Sequence, residues 1–468
     1  WLGPPLQRRN TWGGIAAKRR SQRRRIDSPC QTVASSPNRG PVGEATPTRT
    51  WPAPGSPSGF CVNRTTDRVD VVVAGAGMVG ATLSCALAAA GLDVSVIESG
   101  PAPQWDGENY DLRVSAINLA SQNILMALGV WPAIRQKRIS PFDDIETWDE
   151  GSTGRIFFSA ADAGLRHLGH IIENNAIAVA LHEKLQQQER ARVHYGLSVD
   201  KCQSDDEEIV VTTHKGRVFR ARLLVGADGA LSRVRELAGI GLHQRPYRHT
   251  AIVAHVATEK SHRQAAYQRF LWSGPLAFLP LADQRSSIVW SADANLAEEL
   301  IQLPDDVFQR RLEIAFQNRL GNITSVSHRE RFALVHRHVD RYVSHRVVLV
   351  GDAAHTVHPL AGLGANQGLA DAATLVEVLI DSANRERDFG GQVTLRRYER
   401  WRRGENQLIL NTLDGLYHLF GSSHPMITNI RGLGLNLTNR ITPLKMMFLR
   451  RATGLSGDLP QMAKPSLS

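Results

Sequence analysis

The chain has 468 residues, 42% of them hydrophobic, which is enough to bury more than one core. Its net charge of +10 is concentrated at the start: residues 1–68 hold 12 Lys or Arg against three acids, so the remaining 400 carry only +1. That balance argues against a nucleic-acid-binding body. Four scattered cysteines (Cys30, Cys61, Cys85, Cys202) form no CxxC pair, which argues against a zinc or disulfide framework and suits a reducing compartment such as the cytoplasm. No run of about 18 apolar residues marks a spanning helix.

Residues 1–68 are rich in Arg, Pro, Ser, Gly and Thr and hold no hydrophobic period, so disorder is expected. Two readings stay open. One is a dispensable extension, whose deletion through residue 67 would leave folding and activity intact. The other is an Arg-rich, acid-poor mitochondrial transit peptide, which would place the mature chain in the matrix.

The β-branched run 69–74 predicts a buried parallel strand. It leads into Gly75-Ala76-Gly77-Met78-Val79-Gly80, an Ala-rich helix, and a second strand ending at Glu98. Each position has a physical reason. Gly75 permits the tight turn, Gly77 lets backbone approach a pyrophosphate, and Gly80 lets helix and strand pack closely. The helix N-terminus offers free N–H groups to phosphate, and Glu98 stands where an acid accepts from ribose hydroxyls. A dinucleotide site is expected, FAD or NAD.

Two further strands end in glycine and aspartate. Residues 223–229 read LLVGADG and continue to Arg235 as DGxxSxxR; residues 347–352 read VVLVGD and continue AAHTVHPLAGLGANQG. Asp228 and Asp352 therefore stand at strand carboxyl ends, where open α/β sheets bind ligands. Asp352 can accept from a ribityl chain. The loop with Gly362, Gly364 and Gly368 opens a helix whose amides can face an electron-rich ring or a phosphate. Between these motifs, residues 246–334 read as successive strands of an antiparallel sheet, and residues from about 395 onward as amphipathic helices.

The three motifs in this order resemble those of the flavin aromatic-hydroxylase superfamily, the para-hydroxybenzoate-hydroxylase type. The stretch Asp111-Leu112-Arg113-Val114-Ser115-Ala116-Ile117, together with the long string after Gly351, is similar to the ubiquinone-biosynthesis hydroxylases, the UbiH/UbiF/UbiI group. The resemblance covers roughly residues 69–455. Leu363 replaces the Gln usual in the GQGxNxG loop, and Leu231 the usual Asn of the DG motif.

The resemblance implies an α/β fold: a Rossmann-like FAD-binding domain (69–245 and 335–385), an inserted antiparallel-sheet substrate domain (246–334) and C-terminal helices (386–468). It implies FAD held by Gly75, Gly77, Gly80, Glu98, Arg113, Asp228, Gly351, Asp352, Pro359, Gly362, Gly364, Ala365 and Asn366. Arg113 would contact the flavin or its phosphates; read alone, it is a surface salt bridge. NAD(P)H would reduce FAD transiently, and O2 would supply a hydroxyl to the ring of a prenylated phenol or quinol. No catalytic base can be named, and His355 and His358 lack a third ligand for a metal. Two other readings are a flavin dehydrogenase or reductase of a prenyl-type substrate, and a flavin-binding accessory protein of a quinone-synthesis complex. The last candidate partner is a membrane surface or such a complex. Leu433, Leu435, Leu437, Ile441, Leu444, Met446, Met447, Phe448 and Leu449 interleave with Arg431, Arg440, Lys445, Arg450 and Arg451. That mixture reads either as an interfacial segment or as helices packed on the FAD domain with a solvated basic face.

Overall fold

The computed structural model describes residues 66–356, 363–422 and 424–465. At its centre lies a six-stranded sheet in the order Val343–Ser344, Val347–Leu349, Leu223–Gly226, Val71–Ala74, Val94–Glu98, Ala191–Tyr195. Val71, Val72 and Val73 are fully buried, as a strand covered on both faces requires. Val71–Ala74 runs parallel to both neighbours, with Ala74 opposite Gly226 and Ile97; Gly226 in turn lies opposite Leu349. This register places the carboxyl ends of the three motif strands side by side.

The fold begins before residue 69. Thr66–Arg68 pairs in parallel with Val218–Ala221 in a separate four-stranded sheet, and Asp67 holds Arg217 at 2.6 Å. A deletion through residue 67 removes two residues of that strand, so the limit expected for a deletion that leaves the fold intact is corrected to residue 65; residues 1–65 lie outside the described residues. The sequence Thr-Asp-Arg gives no apolar pattern from which this strand could be read.

A second sheet of nine strands carries the antiparallel block expected at 246–334, but it is broader. Leu242–Thr258 and Glu330–Val339 overrun both limits, and the edge is built by Asp144–Asp149 and Arg155–Ser159, which the sequence places in the FAD part. Asp144–Asp149 runs parallel to Ala265–Leu271. It buries two acids, Glu146 and Asp149, neutralised by Arg319 at 2.7 Å and Arg431 at 3.0 Å. A strand whose buried positions are charged shows no hydrophobic alternation, and its partners lie far along the chain. Helices Ala294–Gln302 and Asp305–Ala315 cover one face of this sheet around Phe278, Phe308, Leu312 and Phe316.

The expected C-terminal helices are Gln392–Phe420, Pro425–Arg440 and Thr442–Ala452. The first bridges the two sheets. Its Tyr398 hydroxyl donates to the Leu349 carbonyl of the six-stranded sheet (3.0 Å), and its Phe420 ring stacks on Phe270 of the nine-stranded one (3.7 Å).

Candidate functional site: three turns on one sheet edge

The first turn is built to a fixed shape. Gly75 has φ +96°, and a Cβ there would collide with the Ala227 carbonyl; one at Gly80 would collide with the Gly75 carbonyl. Gly77 differs: a Cβ there meets nothing within 4 Å, because its Cα faces open space in front of the Met78–Ala89 helix. The Ala76 peptide is gripped at both ends. Its N–H donates to Glu98 Oε2 (2.6 Å), and its carbonyl accepts from His182 Nε2 (2.7 Å). Glu98 thus braces the loop, and its Oε1 accepts from Gly100 N (2.7 Å). His182, buried on the helix Asn174–Gln186 and backed by the Tyr195 hydroxyl at 2.6 Å, carried no signal in the sequence.

The second turn commits its acid to itself. Asp228 accepts from Ser232 Oγ (2.5 Å) and Val234 N (3.0 Å), so the carboxylate shapes the DGxxSxxR turn and does not face the site alone. Arg235, which closes that pattern, is buried and donates to the carbonyls of Ala230 and Ala353, both at 3.1 Å, tying the second turn to the third. Leu231, in place of the family's Asn, is 84% exposed at this turn.

The third turn joins the two sheets. The chain leaves Val347–Leu349 of the six-stranded sheet, turns at Gly351 (φ +59°), and enters His355–Thr356, which pairs with Glu330–Val339 of the nine-stranded sheet. Asp352 sits on this turn. The residue is exposed, and its carboxylate has no hydrogen-bond partner among the described residues. The enclosing protein pushes its pKa up, against the pull of His355, Arg113 and Arg337. Arg113 lies over the Phe332 ring at 5.7 Å, on the nine-stranded sheet; among the described residues it forms no salt bridge. An unpartnered acid at a strand end, together with a glycine loop open at Gly77 in front of a helix N-terminus, fits the hydroxyls and phosphates of FAD.

Gly364 and Ala365 open the helix Leu363–Asn384, while Pro359, Gly362 and His358 lie outside the described residues. Asn366 is buried. Its amide donates to the Ala116 carbonyl (2.7 Å) and accepts from Asn118 N (3.0 Å), so its side chain positions the helix against the strand Val114–Asn118. Val79, in the first turn of the glycine-loop helix, is where an added Cβ at Gly351 or Gly368 would make contact, so both helices converge on the third turn.

Behind this turn lies a buried polar network that sequence reading missed. Asp371 is fully buried and accepts from Gly351 N (3.0 Å), His355 Nε2 (2.5 Å), Arg402 Nε (2.7 Å) and Asn406 Nδ2 (3.1 Å). Burial alone would raise its pKa; the charges and hydrogen bonds of His355 and Arg402 outweigh that and hold it well below the usual carboxylate range. His355 is therefore occupied as a structural residue.

Three turns side by side at the carboxyl ends of a parallel sheet mark a dinucleotide-binding fold. The FAD binding domain family matches residues 68–410. The fold is that of p-nitrophenol 4-monooxygenase PnpA from Pseudomonas putida DLL-E4, with TM-score 0.68 at 19% identity, covering 84% of this chain and 99% of that one. The protein thus carries an FAD-binding domain in the fold shared with this monooxygenase. It is 39% identical over 394 residues to ubiquinone hydroxylase UbiL of Rhodospirillum rubrum, covering 84% of this chain and 91% of that protein. It is 35% identical over 392 residues to 3-demethoxyubiquinol 3-hydroxylase of Escherichia coli, covering 84% of this chain and all of that protein. The chain belongs to the ubiquinone-biosynthesis family of FAD-dependent hydroxylases.

Proposed function

We propose that the enzyme hydroxylates the aromatic ring of a polyprenyl phenol or benzoquinol intermediate of ubiquinone biosynthesis, with NAD(P)H and O2 as co-substrates. The carrying observation is the third turn: the strand that ends in Gly351 and Asp352 continues directly into the substrate-side sheet. Bound FAD, reduced by NAD(P)H, supplies the activation of O2 that puts one oxygen atom on the ring and releases the other as water. The protein's part is to hold and enclose. The Gly75–Gly80 loop takes the pyrophosphate, and Glu98 the ribose. Asp352 takes ribityl hydroxyls, the amides of Gly364 and Ala365 face the ring or a phosphate, and Arg113 adds positive charge near Asp352. Similarity to two hydroxylases named for ubiquinone chemistry supports the substrate class.

The test is turnover with a short-chain, water-soluble prenylphenol. NAD(P)H oxidation should depend on the phenol, and mass spectrometry should find the product one oxygen atom heavier. Phenol-independent oxidation with unchanged phenol would refute the assignment. Within the site, Asp352→Ala should weaken FAD binding or lower turnover, since cofactor hydroxyls lose their acceptor at about 1–3 kcal/mol. Wild-type flavin affinity together with wild-type turnover would remove Asp352 from the site.

A further inference from the structure

The helix Pro425–Arg440 is amphipathic in the wrong sense for a solvated surface helix. Its polar and small residues face the protein. Asn436 and Asn439 accept from the backbone N–H groups of Arg155 and Phe157 (both 3.1 Å), on the strand Arg155–Ser159. Thr428 and Gly432 are buried, and Arg431 is buried with its guanidinium on Asp149 and on the carbonyls of Leu419, Phe420 and Ser422. At about 100° per residue, the opposite side is Met426, Ile430, Leu433 and Leu437. These are 66%, 56%, 69% and 56% exposed. Exposed Ile441, Met447 and Phe448 extend the apolar surface onto the next helix, Thr442–Ala452.

Charge decides what this face meets. No Asp or Glu stands between Asp414 and Asp458. Lys445 and Arg451 are paired with Asp162 and Glu405, whereas Arg440 and Arg450 are exposed and have no ion pair among the described residues. A two-fold contact with a second copy would set the same patch against itself and bring these like charges together. An anionic lipid surface is complementary both to the apolar stripe and to the cations.

We propose that the outward face of Pro425–Arg440, continued by Met447 and Phe448 and flanked by Arg440 and Arg450, docks the enzyme on an anionic bilayer. The inference deepens the proposed function and rests on it, since a polyprenyl substrate resides in a bilayer. The face belongs to a helix that packs on the edge strand Arg155–Ser159 of the nine-stranded sheet, so docking brings that edge to the lipid. The FAD-loaded full-length protein is to be floated with vesicles of phosphatidylglycerol and phosphatidylcholine, and separately with phosphatidylcholine alone. Three proteins are compared: wild type, Leu433→Glu/Leu437→Glu, and Arg440→Glu/Arg450→Glu. Wild type should float with the anionic vesicles, and each variant should bind them about tenfold less or weaker still. Both variants should retain turnover of the water-soluble prenylphenol. Equal flotation of all three, or none by wild type, overturns the proposal. So does light scattering that finds a wild-type dimer made monomeric by Leu433→Glu/Leu437→Glu, which makes the face a contact between copies. Hydroxylation of the soluble phenol without flotation removes the docking face alone; flotation without hydroxylation removes the proposed function instead.

Discussion

Gly77→Val should yield a folded, colourless protein. The separation of folding from cofactor binding follows from what surrounds each glycine. A Cβ at Gly75 or Gly80 meets backbone atoms of the protein itself, so substitutions there strain the fold. At Gly77 the protein leaves the space open, and a branched side chain would stand where the pyrophosphate must approach the backbone. The flavin content of purified Gly77→Val should fall to near zero, while its circular dichroism matches that of wild type stripped of FAD. Flavin at the wild-type level would show that the cofactor does not use this loop. A variant that fails to fold would contradict the open space at Gly77.

The second large effect is expected at Arg402→Met. The substitution keeps most of the side-chain volume and removes the charge, leaving fully buried Asp371 with His355, Asn406 and the Gly351 amide. Breaking one partner out of a buried ion pair costs about 3–5 kcal/mol, because the remaining buried charge loses its fixed counter-charge. Of a typical total stability of about 5–15 kcal/mol this is a large fraction. In the wild type, the depressed Asp371 pKa contributes stability above about pH 4 and loses it only as pH falls into strong acid. Denaturant unfolding at neutral pH should show the drop in Arg402→Met, and FAD affinity should fall with it, since Asp371 anchors the Gly351 turn. A stability change under about 1 kcal/mol would mean that the pair does not support the site.

The three turns were legible in the sequence for a simple reason. Close approach to a pyrophosphate, or a sharp exit from a buried strand, requires glycine at fixed spacing after a β-branched run, and the chemistry and pattern coincide there. The residues that hold those turns were not legible. His182 reaches Ala76 across 106 residues and Arg402 reaches Asp371 across 31, and a charged or imidazole side chain on a helix reads as a solvated face until its partner is known. Asp228 and Asn366 illustrate the converse. Both stand in cofactor motifs, yet their side chains bind the protein's own Ser232, Val234, Ala116 and Asn118. The C-terminal segment was legible as a mixture of basic and apolar residues but not in its orientation. Arg431 faces inward to Asp149, while Leu433 and Leu437 face out. Composition cannot separate these cases, because the packed face is chosen by the edge strand Arg155–Ser159, whose backbone N–H groups need acceptors.

The most direct measurement of oxygen insertion is turnover under ¹⁸O2 with NAD(P)H and a short-chain prenylphenol in ordinary water. The expected product is a hydroxylated ring carrying one ¹⁸O atom. NAD(P)H consumption with a product free of ¹⁸O would contradict the assignment and make the protein a flavin dehydrogenase or reductase.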